Sequence, residues 1–144
     1  MEDRGLARGF ALGRIALGAA LLLAPRVVGG PWIGFDAAGD RGARVLLRAL
    51  GARDIALGFG LKASLDRDAP TRGWLEGGLV ADGTDFAATL TAGDDLPLSG
   101  RILVGALSGS GGALGAWLIR SAEAGPAAPG REGARAGADV LETP

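Results

Sequence analysis

Between Arg101 and Arg120 the chain runs for 18 residues, Ile102 to Ile119, without a charge. As an α-helix that stretch rises about 27 Å, close to the ~30 Å hydrocarbon thickness of a bilayer. Five of its residues, Gly105, Gly109, Gly111, Gly112 and Gly115, are glycines. In a water-exposed helix each costs about 0.8–1 kcal/mol relative to Ala. In lipid the same residues let neighbouring backbones approach closely. The segment is therefore predicted to span a membrane, with Ser99 as its N-cap.

Three more segments have helical length, and together with this one they predict helices over about 6–28, 40–64, 71–93 and 99–120. The first has an uncharged centre, Ile15 to Pro25, between Arg14 and Arg26. The second holds Arg44, Arg48, Arg53 and Asp54, and the third holds Glu76, Asp82 and Asp85. None alternates with a period of two for long, which argues against strands. Gly29-Gly30-Pro31 is expected to break the first segment. Lys62 to Arg72, with Pro70, and Asp94-Asp95-Leu96-Pro97 read as links. The expected fold is all-α: a four-helix transmembrane bundle over residues 1–120, followed by a disordered tail of Ala, Gly, Pro and charge over 121–144. Composition agrees. Apolar residues at 48% and 27 Gly fill about two thirds of the 144 positions, against roughly 45–50% in soluble domains on the same count.

Small residues recur every four positions at Gly5, Gly9 and Gly13, at Gly105, Gly109 and Ala113, and at Gly111 and Gly115. Such faces suit a partner helix or self-association in lipid. Trp32, Trp74 and Trp117 fall near segment ends, where interfacial belts place Trp. On a four-span topology one side carries Arg4, Arg8, Lys62, Arg67, Arg72, Arg120, Arg131 and Arg135, and the other only Arg26, Arg41, Arg44 and Arg101. The excess puts both termini in the cytoplasm. Glu2 and Asp3 dilute the basic start and Pro25 occupies the place of a cleavage site, so the first span is expected to remain uncleaved.

The chain has no Cys and no His. Disulfides, iron–sulfur clusters, Cys/His zinc sites, a Cys nucleophile and a His base are thereby excluded within it. A net charge of −1 without a basic stripe argues against nucleic acid. The Gly-rich stretch lacks the Lys-Ser/Thr of a phosphate-binding loop. Asp82-Gly83-Thr84-Asp85 matches a fragment of a metal-dependent lipid phosphotransferase motif, but its Ala-Arg element and later acidic pair are missing. Lys62 at a segment end reads as a snorkelling residue. The expectation is a chain without enzymatic activity, cofactor or metal.

What remains is a set of charges in apolar surroundings. Asp82 and Asp85 are three apart and share a helix face, which suits a buried site facing Arg48 or Arg53. Arg53 and Asp54 are adjacent and point about 100° apart, so each is expected to pair on a different helix. Ile15-Ala16-Leu17-Gly18 returns as Ile55-Ala56-Leu57-Gly58, and Leu6, Arg8 and Leu21 match Leu46, Arg48 and Leu61 at the same offset of forty. That offset aligns Arg14 with Asp54 and predicts that they pair. Arg14, Arg48, Arg53, Asp54, Asp82 and Asp85 form the candidate site, whether as ion pairs that fix register or as a seat for a cation, a proton or a small polar ligand.

Arg48-Ala49-Leu50-Gly51-Ala52-Arg53-Asp54-Ile55-Ala56-Leu57-Gly58, followed by Trp74 and Asp82-Gly83-Thr84-Asp85, with an opening Gly13-Arg14 run ending in Pro25, resembles a family of small bacterial four-helix integral membrane proteins of unknown function. The resemblance covers about residues 8–120. It implies a multi-pass protein of the bacterial inner membrane and brings no activity with it. The expected role is accessory or in assembly, through helix packing with a membrane-protein partner or a second copy. The alternative is a small transporter or ligand-binding membrane protein that uses the Arg/Asp network.

Overall fold

The structure, a computed structural model, describes residues 2–124. Among them there is no strand. The chain forms five α-helices, α1 (Glu2–Leu23), α2 (Pro25–Ile33), α3 (Arg41–Asp66), α4 (Arg72–Ala92) and α5 (Leu98–Ala124), with single 3-10 turns at Ala37–Gly39 and Gly93–Asp95. The all-α expectation is met, but with five helices where four were expected. The tail expected over 121–144 lies outside the described residues, except that 121–124 continue α5.

The fifth helix arises because the first segment breaks at Pro25 and not at Gly29-Gly30-Pro31. Pro25 has no amide hydrogen to continue α1, and it starts α2 at a first-turn position where none is needed. Ala24 before it leaves helical geometry, at φ −131° and ψ 57°. Gly29, Gly30 and Pro31 sit within α2, and the chain turns only at Gly34, whose φ of 90° favours Gly.

The long helices pack as two antiparallel pairs, α1 with α3 and α4 with α5. α2 packs on the Ala37–Gly39 turn and on the start of α5. Burial on α1 falls on Ala7, Ala11, Arg14, Gly18 and Leu21, and on α3, apart from Gly60, which is covered by Trp74, on Leu47, Gly51, Asp54, Gly58, Leu61 and Leu65. Both sets follow the three-and-four spacing of one helix face. Two small apolar cores result. Ala7, Ala11, Leu61, Leu65, Leu75 and Leu118 form one, and Leu21, Ala38 and Leu47 the other.

Helices α1 and α3 touch backbone to backbone. A Cβ on Gly51 would lie 2.6 Å from the Gly18 carbonyl oxygen, and one on Gly58 2.5 Å from that of Ala11. Adding forty to Gly18 and Ala11 gives Gly58 and Gly51. The contact thus maps onto itself under the offset seen in the sequence, as two antiparallel helices related by a half-turn would do. The small-residue faces expected from four-residue spacing behave differently: Gly5, Gly9, Gly13 and Gly109 have nothing within 4 Å of an added Cβ.

Large apolar side chains are widespread on the outside of the molecule. Val45, Leu46, Phe59, Val80, Leu90, Ile102 and Leu107 are all exposed. Two helices, α1 and α5, are long and apolar enough to cross a membrane, and those stretches bury only 28% and 17% of their residues inside the protein. A core helix of a water-soluble protein buries most of its apolar face.

Asp40 starts α3 by accepting from the amides of Ala43 at 3.2 Å and Gly42 at 2.7 Å. These bonds, Ala43's first, hold its carboxyl below the usual pKa. A lowered folded pKa means the cap stabilises fully at neutral pH and loses its contribution as pH falls through that value. Asp40→Ala is expected to lower the Tm at neutral pH, with the gap to the native chain closing in strong acid. Asp40→Asn caps without titrating, and its stability relative to Asp40→Ala is expected to stay flat with pH. Thermal unfolding across pH in detergent checks both.

Candidate functional site

Arg14 lies between the two apolar cores and faces α3 and α4. Its Nη1 donates to Asp54 Oδ1 at 3.0 Å. Its Nη2 donates to Asp82 Oδ2 and to the Gly78 carbonyl, the latter at 3.3 Å. The guanidinium also stands over the ring of Phe10, 5.0 Å from its centroid, a cation–π contact. Arg53 on α3 grips Asp85 on α4 with both terminal nitrogens, at 3.0 and 2.7 Å, and reaches Asp54 Oδ1 at 3.4 Å. Asp82, Arg14, Asp54, Arg53 and Asp85 therefore form one connected layer across α1, α3 and α4. The Arg14 and Asp54 side chains are only 9% and 8% exposed.

Five of the six candidate residues come together. The pairing of Arg14 with Asp54 follows the offset of forty. Arg53 and Asp54, as their angular separation requires, find their main partners on different helices, α4 and α1. Arg48 does not join. It lies one residue past Leu47 on the buried face, which turns it about 100° outward, and its Nε donates to the Leu22 carbonyl at the end of α1, at 3.2 Å. Of the two neighbouring threonines, Thr84 is exposed, and Thr89 is buried with its hydroxyl given to the Asp85 carbonyl.

All five members of the layer line one cavity of about 520 Å³. Its walls are mostly apolar, with Leu17, Leu21, Leu103, Leu107 and Leu114 among them, and Trp32 and Phe10 add aromatic surface. Trp32, expected in an interfacial belt, thus lines the cavity, and its indole nitrogen is buried without a partner among the described residues. Ser108 on α5 also lines the cavity. It is 9% exposed, and its hydroxyl makes no hydrogen bond among the described residues. Ser110 nearby returns its hydroxyl to the Leu107 carbonyl at 3.1 Å. The sequence did carry a signal for Ser108: these two are the only hydroxyls in the uncharged run from Ile102 to Ile119. Gly111 leaves room for the layer, since a Cβ there would sit 2.8 Å from Asp82 Oδ2.

The layer holds two guanidinium groups and three carboxylates, a formal charge of −1. No group of three or more acidic side chains is arranged to hold a metal ion among the described residues. Comparison of the chain with known protein families, with curated proteins and with solved structures finds no match.

Proposed function

We propose that the chain is a small multi-pass membrane protein whose four long helices cross the bilayer around a cavity that holds a ligand against the Arg/Asp layer. The coincidence of cavity and layer carries this reading. Ion pairs that only fix helix register need no hollow beside them, and this one opens outward past Leu17, Leu103 and Leu107, which are exposed. A space of about 520 Å³ falls within the ~300–1,000 Å³ of ligand pockets, and a few convergent polar groups in apolar walls are the usual lining of such a pocket.

Membrane residence draws on the exposed apolar side chains and on α1 and α5. Of the charges that keep α3 and α4 from reading as spans, Arg53, Asp54, Asp82 and Asp85 are gathered in the layer, while Arg48 and Glu76 lie outside it, Arg48 on the Leu22 carbonyl and Glu76 on Arg72. Ionisable groups within membranes are arranged in that way. Arg4 meets Asp68 at 2.5 Å and Arg8 meets Asp66 at 2.9 Å, so the start of α1 and the link from α3 to α4 share one end. On the positive-inside rule that Lys/Arg-rich end faces the cytoplasm of the bacterial inner membrane. No catalytic role is assigned: each carboxylate of the layer accepts from a guanidinium. A second reading, an accessory subunit bound through a partner helix or a second copy, draws on Gly5 and Gly9, which leave open space on α1; Gly13, on the same spacing, lines the cavity.

The membrane part is tested by fractionation. The protein is expected to stay in the pellet through salt and alkali and to leave it in detergent; release by alkali would sink the reading. The cavity part is tested by native mass spectrometry from mild detergent. A bound small molecule, absent from the cavity-filling Ser108→Phe variant, is the expected result. A bare chain in both forms favours the accessory subunit.

A further inference from the structure

We propose that the ligand is an organic monocation with an apolar body, its positive charge set against Asp82. This rests on the cavity reading above and deepens it. The layer carries −1 in surroundings where charge is costly. A bound anion would raise that to −2, and a bound monocation brings it to zero.

The hydrogen-bond inventory points the same way. All four terminal guanidinium nitrogens already donate to carboxylates. The Nε atoms of Arg14 and Arg53 are sealed, without solvent access or a partner among the described residues. An anion entering the cavity therefore meets only guanidiniums already paired with carboxylates, each with one spare hydrogen on Nη1. Asp82 differs: it accepts from Arg14 through Oδ2 alone, and its Oδ1 takes no hydrogen bond among the described residues. Ser108, nine-tenths buried and with a hydroxyl that has no partner among the described residues, lines the same space and offers a second acceptor to a donor such as an ammonium. An inorganic ion would leave about 520 Å³ of mostly apolar space unfilled. A lipophilic cation fills it and adds contact with Trp32, which lines the space; Trp is the aromatic residue best suited to cations.

The test uses the full chain in a non-ionic detergent and three probes of similar body: tetraphenylphosphonium, tetraphenylborate and neutral triphenylphosphine oxide. Equilibrium dialysis against a detergent blank is expected to show saturable binding of tetraphenylphosphonium, one per chain, and none of tetraphenylborate. Asp82→Asn brings the layer to neutrality and keeps a carbonyl oxygen for Arg14, so it is expected to elute as the native chain does on size exclusion. Its affinity for tetraphenylphosphonium should fall at least about tenfold, the scale of one lost contact to a charge. If Asp82→Asn fails to fold, the cation–anion comparison on the native chain still decides. Tetraphenylborate binding as tightly as the cation, or undiminished cation binding by a folded Asp82→Asn, overturns the proposal. Saturable binding of the neutral probe or the anion in place of the cation, abolished by Ser108→Phe, overturns the charge assignment and leaves the ligand cavity standing. Binding of none of the three overturns both.

Discussion

Replacing Arg14 by Met is expected to destabilise the fold by about 3–5 kcal/mol, the range for breaking a buried ion pair from one side. Among the described residues, Arg14 is the only donor to Asp82 and the closer of the two donors to Asp54. Without it two carboxylates face each other across the cavity with one guanidinium, that of Arg53, already committed to Asp85. Met keeps an unbranched stem of similar length, so the loss reports the guanidinium, with its ion pairs and its place over the Phe10 ring, more than volume. A companion variant separates the two causes. Arg14→Met with Asp54→Leu and Asp82→Leu removes the stranded charges as well, and is expected to recover most of the stability, because well-packed apolar residues replace buried ion pairs at little cost. Thermal unfolding in detergent measures both. An unchanged Tm for Arg14→Met would mean that the layer is solvated and that the cavity is open water.

Gly18→Ala is the second large effect. Its new methyl would press on the Gly51 carbonyl and on Ile55, which lie across the closest approach of α1 and α3. Overpacking of this kind costs about 1–3 kcal/mol, more than the ~1 kcal/mol that Ala returns over Gly in a helix. Gly9→Ala, on the same helix with nothing within 4 Å, makes the identical chemical change without the contact and is expected to be neutral or stabilising. Similar melting curves for the two variants would show that the helices do not meet at Gly18.

The two glycines also show where the sequence stopped being legible. Four-residue spacing says that small residues share a face; it does not say which face turns inward. On α1 the inward face is Ala7, Ala11, Arg14, Gly18 and Leu21, and Gly5, Gly9 and Gly13 lie off it. The stronger clue was the forty-residue echo, because it tied Gly18 to Gly58 and Arg14 to Asp54 at once. Its geometry is a contact between the two copies, which spacing within one helix cannot encode. The split at Pro25 was obscured by the Gly-Gly-Pro sequence just after it, whose glycines are covered by Leu47 and Phe35 and need no loop. Arg48 looked like a member of the layer because its residue type fits, and one residue of helical rotation removes it. Ser108 and Trp32 belong to the cavity only through the way α5 and α2 close over α1 and α3, and that arrangement is tertiary.

The half-turn relating α1 and α3 has a consequence for how such a layer can exist. A residue close to a two-fold axis faces its own counterpart. In a dimer of identical helices the position of Arg14 would meet another arginine, or an aspartate another aspartate, and the pair would repel. Joining the two helices in one chain lets the axial position differ between them, and here it is arginine on one side and aspartate on the other. A place of self-repulsion in a symmetric pair is thus an attractive pair in this chain. Near-symmetric packing around it holds the shape, and the asymmetry at the axis supplies the polarity that a ligand would read.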